Sequence, residues 1–189
     1  MKILLYGATG LLGQRILSDA VERGHTVTAA STDPARVQEL PGVTLVQSDV
    51  LDRDSVSALA NEHDVLVSAV GPGHAGDPRF PCELASSLVE AAQRSGVRLV
   101  VVGGLEAASA AQPAVTLDFA DTWYGAAQAH ADAAMVYRSA PAGVSWTYFV
   151  PSGPIGRADG HVSAESVAAA VLRELEEPSH PRQDVTIAA

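Results

Sequence analysis

Gly7-Ala8-Thr9-Gly10-Leu11-Leu12-Gly13 joins a short apolar run, Lys2 to Tyr6, to a helical pattern that opens at Leu11. Glycine at position 7 permits a tight turn, glycine at 10 lets a ligand come close to the backbone, and glycine at 13 lets the helix pack near the strand. A helix N-terminus placed there offers unpaired N–H groups and a partial positive charge, which is what a phosphate cradle requires. The plainer reading is a strand-to-helix turn and nothing more. The context favours the cradle: a strand lies before the glycines, a helix after them, and the pair opens a β–α–β series.

Acid–base and nucleophilic candidates are fewer. His74, in Gly71-Pro72-Gly73-His74, could donate a proton at a strand's carboxyl end, although an exposed loop histidine with no chemical duty is the plainer account. Trp123 and Tyr124 lie after the fifth apolar run, where a substrate would be met, or else they pack the start of a helix. The catalytic residue is therefore unassigned, with His74 and Tyr124 as candidates. Cys82 stands at a helix start, where the dipole favours thiolate, but a small half-buried residue is the simpler reading. It is the only cysteine, which excludes an internal disulfide and a multi-cysteine zinc site. The six histidines show no metal-ligand spacing, so no metal is expected, and no Gly-x-Ser-x-Gly elbow occurs.

Such residues need a frame. Strand patterns run over Lys2 to Tyr6, His25 to Ala30, Val43 to Gln47, Asp64 to Val70, Val97 to Val102, Val144 to Val150 and Asp184 to Ile187. Helical patterns fall between them. The first covers Leu11 to Arg23, a second starts at Asp33-Pro34, and a third is capped by Asp52 and runs to Asn61. Pro81 opens a helix that Gly96 ends, Asp121 to Arg138 is helical, and Ser163 caps a last one through Glu176. Leu105 to Leu117, interrupted by Pro113, reads mostly as loop. This alternation, with strands apolar almost throughout, implies an α/β fold. We expect a doubly wound, mainly parallel sheet with helices on both faces, a single domain over residues 1–189, and a ligand at the carboxyl ends of the strands.

Composition narrows the partners. With 47% apolar and 18% charged residues in 189, the chain can build a sizeable core. Twelve Lys and Arg against 22 Asp and Glu give a net charge of −10, which disfavours nucleic acid and anionic membrane surfaces. The first apolar run is too short for a signal peptide and no segment approaches a membrane span. A cytoplasmic protein is expected, for which a homodimer is one compatible assembly.

The glycine spacing resembles the short-chain dehydrogenase/reductase superfamily in its extended and atypical branches. The likeness continues through G-H-T-V-T-A at Gly24 to Ala29, Q-S-D-V-L-D at Gln47 to Asp52 and D-V-L-V-S-A-V-G-P-G at Asp64 to Gly73. It extends to R-L-V-V-V-G-G at Arg98 to Gly104, V-S-W-T-Y-F-V-P at Val144 to Pro151 and the ending V-L-R-E-L-E-E-P-S-H-P-R-Q-D-V-T-I. Together these resemble the NADH-flavin reductase group of NAD(P)H-binding, NmrA-like proteins. The resemblance implies a Rossmann fold with a dinucleotide across the sheet edge. Thr9, Gly10, Leu11 and Leu12 would follow the pyrophosphate, and Asp49 and Val50 would flank the adenine. Ser68, Ala69, Val70 and Gly71 would run beside the ribose toward the nicotinamide, with Gly103, Gly104 and Pro151 bordering that end. Asp49 has a second reading, as a strand-end carboxylate capping a turn.

Cofactor choice depends on the end of the second strand, Ala30-Ser31-Thr32-Asp33. Ser31 and Thr32 could donate to a 2′-phosphate and Arg36 could reach it, while Asp33 reads as a helix cap rather than a ribose clamp. NADP(H) is thus favoured over NAD(H). The superfamily's usual proton relay, Tyr-x-x-x-Lys, is absent because Lys2 is the only lysine; Tyr124, Tyr137 and Tyr148 are followed at that spacing by Gln128, Pro141 and Ser152. What remains is hydride transfer to a flavin, quinone or similar ring that stabilises the added electrons itself. The short connection from Pro151 to His161 leaves the substrate side more open than in similar proteins. The expectation is an NAD(P)H-dependent reductase of a small-molecule electron acceptor; the alternative is a non-catalytic, NmrA-like redox sensor.

Overall fold

Strands that are apolar on both faces have to be covered twice, and here the helices divide into two layers to do so. The computed structural model describes residues 1–71, 77, 79–103, 117–153, 155–156 and 161–188, with the backbone alone for 117–127. Strands β1 (Lys2–Tyr6), β2 (Thr26–Ser31), β3 (Val43–Gln47), β4 (Val65–Ser68), β5 (Arg98–Val102), β6 (Trp146–Pro151) and β7 (Gln183–Ile187) form one sheet. Its order is β3-β2-β1-β4-β5-β6-β7, and every pairing is parallel. The chain enters at β1, winds out to β3, then returns to the other side of β1 and winds out to β7. That reversal, between β1 and β4, opens a crevice at the carboxyl ends of the two strands.

The helices are α1 (Leu11–Glu22), α2 (Arg53–Ala60), α3 (Phe80–Ser95), α4 (Leu117–Arg138) and α5 (Ala164–Glu176). Helix α1 packs on α5 over one face of the sheet, and α3 packs between α2 and α4 over the other. Alternate residues of each strand serve the two layers. Ile3, Leu5, Val67 and Val100 bury against Ile16, Leu17 and Leu172, whereas Leu4, Leu66 and Leu99 bury against Leu88 and Ala92.

Local signals set most boundaries. Asp52 accepts from the Ser55 N–H at 3.2 Å and Ser163 from the Ser166 N–H at 3.0 Å, each capping its helix, and Gly96 closes α3 in the left-handed region at φ +72°. One expected helix is corrected. Asp33-Pro34 starts only a single 3-10 turn, Pro34–Arg36, and the Asp33 side chain caps nothing. That segment has no apolar stripe with which to dock a helix, since only Val37 beyond the turn is buried. Strand β4 stops at Ser68 rather than Val70, and α4 begins at Leu117 rather than Asp121. No described helix is long and apolar enough to cross a membrane.

Candidate functional site

The turn from β1 into α1 shows why two of its glycines are there. Gly7 sits at φ +90°, and a Cβ on it would lie 2.5 Å from the Ala69 carbonyl carbon. A Cβ on Gly13 would lie 2.0 Å from the Gly7 carbonyl oxygen, so helix and turn are in direct backbone contact. Gly10 differs. Its backbone (φ −85°, ψ 163°) suits any residue, and among the described residues a Cβ there would meet only the Gly7 oxygen, at 3.5 Å. Neither backbone strain nor packing against the described residues demands glycine at this exposed position.

The helix that Gly10 opens is also left unneutralised. Helix α1 has no side-chain cap and no acid in its first turn, whereas α2, α3 and α5 carry Asp54, Glu83 and Glu165 there. Its partial positive charge therefore faces outward. An open glycine beneath an uncapped helix N-terminus is a cradle that fits a diphosphate, so these residues could hold the pyrophosphate of a dinucleotide.

Beside the cradle lies a cleft of about 360 Å³ at the carboxyl ends of β1, β4, β5 and β6. Gly10, Leu11 and Leu12 form one wall; Ala69, Val70 and Gly71 follow β4, and Gly103 and Pro151 follow β5 and β6. These eight residues of the expected set meet in one cleft. Thr9 is half-buried beside it, and its carbonyl accepts from the Gln14 side chain at 3.3 Å.

Other expected residues are placed differently. Ser68 is 1% exposed and stands in one row with Tyr6 and Val101; its Oγ has no hydrogen-bond partner among the described residues, and it does not line the cleft although its neighbour Val101 does. Val50 is a core residue whose carbonyl accepts from the Ser87 hydroxyl at 2.6 Å. The exposed Asp49 carboxylate accepts from the Leu51 N–H at 2.9 Å, the turn-capping role that was its second reading. At the end of β2, Ser31 Oγ accepts from the Asp33 N–H at 3.1 Å, and Thr32 and Arg36 are exposed. Arg36 forms no ion pair with a described residue. With Asp33 capping nothing, the reason for discounting it as a ribose ligand is gone. His74 and Gly104 lie outside the described residues, as do the side chains of Trp123 and Tyr124.

Three polar residues lining the cleft were missed in the sequence: His130, Tyr137 and Tyr148. His130, Ala133 and Tyr137 share one face of α4, a spacing the helical pattern could have revealed. Tyr148 was hidden among the apolar residues of a strand. Gly103 lets it into the site: a Cβ there would lie 2.0 Å from the Tyr148 hydroxyl. The Tyr137 and Tyr148 rings stand 5.2 Å apart, and burial, with smaller contributions from Tyr148 and Cys82, pushes the Tyr137 hydroxyl well above its ordinary pKa. Tyr137 thus keeps its proton across the neutral range. Cys82 moves the same way: burial first, then Asp132, raises its thiol, contrary to the thiolate that a helix start would favour.

Comparison with known proteins agrees with this architecture. The profile of a family described as NAD(P)H-binding matches residues 7–185. An uncharacterised Bacillus subtilis protein, YwnB, is 27% identical over 213 aligned positions that cover 99% of this chain and 98% of its own. A solved Listeria monocytogenes protein is 31% identical, with a TM-score of 0.69 over all of both chains. A candidate NADH-flavin reductase of Streptococcus pneumoniae shares the fold at 22% identity, with a TM-score of 0.78 over 98% of each chain.

Proposed function

Because the chain belongs to the NAD(P)H-binding family, among the NmrA-like atypical short-chain dehydrogenase/reductases, we propose that it is a dinucleotide-dependent reductase whose cofactor crosses the β1–β4 crevice. Gly10 carries this reading. It is the one glycine of the turn that packing among the described residues leaves unexplained, and it adjoins an uncapped helix N-terminus. When bound there in reduced form, the cofactor supplies a hydride.

The chain's own residues bind, orient and shield. Leu11, Leu12 and Gly13 present backbone N–H groups at the start of α1, and Ala69 to Gly71 form an apolar shelf that lets a flat ring lie close. Pro151, Ile155 and Leu84 exclude water from the same cleft. With Lys2 as the only lysine, no Tyr-x-x-x-Lys relay assists. That suits an acceptor whose own ring takes up electrons, a flavin, a quinone or a similar compound. At the end of β2, Arg36, which pairs with no described residue, supports NADPH while Asp33, which caps nothing, pulls toward NADH; we favour NADPH, because Ser31 and Thr32 add two donors.

Calorimetry with NADPH and NADH, followed by stopped-flow oxidation of each against a panel of flavins and quinones, tests the reading. Micromolar binding with turnover is expected. Binding without turnover on any acceptor would turn the assignment to the dinucleotide sensor, and absence of binding would remove both.

A further inference from the structure

We propose that the acceptor end of the cleft donates a proton, that His130 is the donor, and that the preferred acceptors are conjugated carbonyl compounds, quinones and enones, rather than free flavins. This rests on the reading that the nicotinamide lies in the same cleft. The sequence predicted a wall of backbone, alanine and aromatic surface there. The structure instead brings three protic side chains to it: His130 and Tyr137 from α4, and Tyr148 from β6.

Their arrangement has a shape. His130 and Tyr137 lie two turns apart on one face of α4, with the small Ala133 between them, and all three line the cleft. Tyr148 lies against Tyr137 with the rings inclined at 31°, and its hydroxyl sits over Gly103 where any Cβ would collide. A flat ring entering the cleft beside α4 would lie among the imidazole and the two tyrosine rings. Tyr137, held protonated by burial, is a permanent hydrogen-bond donor to a carbonyl oxygen. His130, 9% exposed, is shielded enough to act on the acceptor yet sits nearer water than either tyrosine, each 2% exposed. Imidazole is the side chain best suited to pass a proton near neutral pH.

The step balances. The conjugated acceptor takes one hydride, two electrons and a proton's mass together, from the reduced nicotinamide. The electron pair displaced through its π system settles on a carbonyl oxygen, which takes the ring proton of the His130 imidazolium. Dinucleotide is left oxidised, and water at the cleft mouth restores the proton to His130. A flavin needs no such partner, since its reduced ring is stable as an anion after hydride addition.

The test compares acceptors within each variant. In His130→Gln the ratio of quinone to flavin turnover should fall about 100-fold, with the loss in kcat and with the solvent isotope effect on quinone reduction abolished. Independently of turnover, calorimetric binding of a hydroquinone to the oxidised-dinucleotide complex should weaken about tenfold in Tyr137→Phe, which keeps the ring and removes only the hydroxyl. Parallel loss on both acceptors, an unchanged ratio, or unchanged hydroquinone affinity would overturn the proposal. Failure of the parent reading shows separately, as wild-type protein that binds no dinucleotide.

Discussion

The two edges of the sheet treat their polar groups in opposite ways. At the amino edge the chain pairs most of its charged and polar groups with one another, although Arg98 Nε and Trp146 Nε1 have no partner among the described residues. Glu174, 3% exposed, pairs with Arg98 and accepts from the His180 N–H at 3.0 Å, while the Thr147 hydroxyl donates to the His180 carbonyl at 2.9 Å. His63 likewise bridges the Leu59 carbonyl and the Thr28 hydroxyl, both at 2.7 Å. At the carboxyl edge the helix N-terminus of α1 goes uncapped, Gly10 stands open, and the residues following β4 and β5 line empty space. Polar groups used within the protein hold it together; polar groups left over are available to a ligand. The contrast sets an edge that stabilises the fold against the edge at which the proposed function puts binding.

Glu174→Ala tests the stability side and should have the largest effect. Removing one partner of a buried pair costs about 3–5 kcal/mol, read as a drop in urea-denaturation stability, because Arg98 is left charged and half-buried. Dinucleotide affinity should survive at the opposite edge. A fall in affinity that tracks the fall in stability would dissolve the distinction.

Gly10→Asp tests the binding side. The space around Gly10 admits the side chain without unfolding, but its carboxylate would face the phosphates, so affinity should drop by about 100-fold, ~2.7 kcal/mol. An unchanged Kd in calorimetry would empty the cradle of meaning. Gly13→Ala should do the reverse, destabilising by about 1–3 kcal/mol through its clash with the Gly7 carbonyl.

Thr32→Arg is subtler: a second guanidinium near Arg36 should raise preference for NADPH over NADH by about tenfold, ~1.4 kcal/mol. Equal ratios before and after would take the end of β2 out of cofactor choice.

The smallest effect is expected from pH. Burial alone would raise the Glu174 carboxyl, but hydrogen bonds from His180 and Ser179 and the charge of Arg98 outweigh it and hold the group below its ordinary pKa. Its contribution is therefore present above the unfolded-state pKa and is lost as acid drives pH down through the lowered folded value. The wild type should lose stability more steeply with acidification than Glu174→Gln; parallel slopes would show that the carboxylate adds nothing.

Much of this frame was readable in the chain. The strands, the Asp52 and Ser163 caps and the left-handed Gly96 follow from residues within a turn of one another. The Asp33-Pro34 helix was misread because its start signal is local, whereas a helix also needs a buried face that this segment lacks. Val50 and Ser68 lay in the expected stretches, and no spacing along the chain shows that the Val50 side chain packs into the core or that Ser68 is buried beside the cleft-lining Val101. His130, Tyr137 and Tyr148 were passed over because they come from two distant elements.

Sequence alone determined the β–α–β turn, the alternation that dictates a doubly wound sheet, and the lack of a lysine partner for any tyrosine, because each is a property of neighbours or of composition. Only the folded chain could decide that Gly10 stands in open space while Gly13 touches Gly7, or that a tyrosine of β6 reaches over Gly103 to meet one from α4. Those relations depend on how strands and helices pack in three dimensions, and no interval along the chain encodes them.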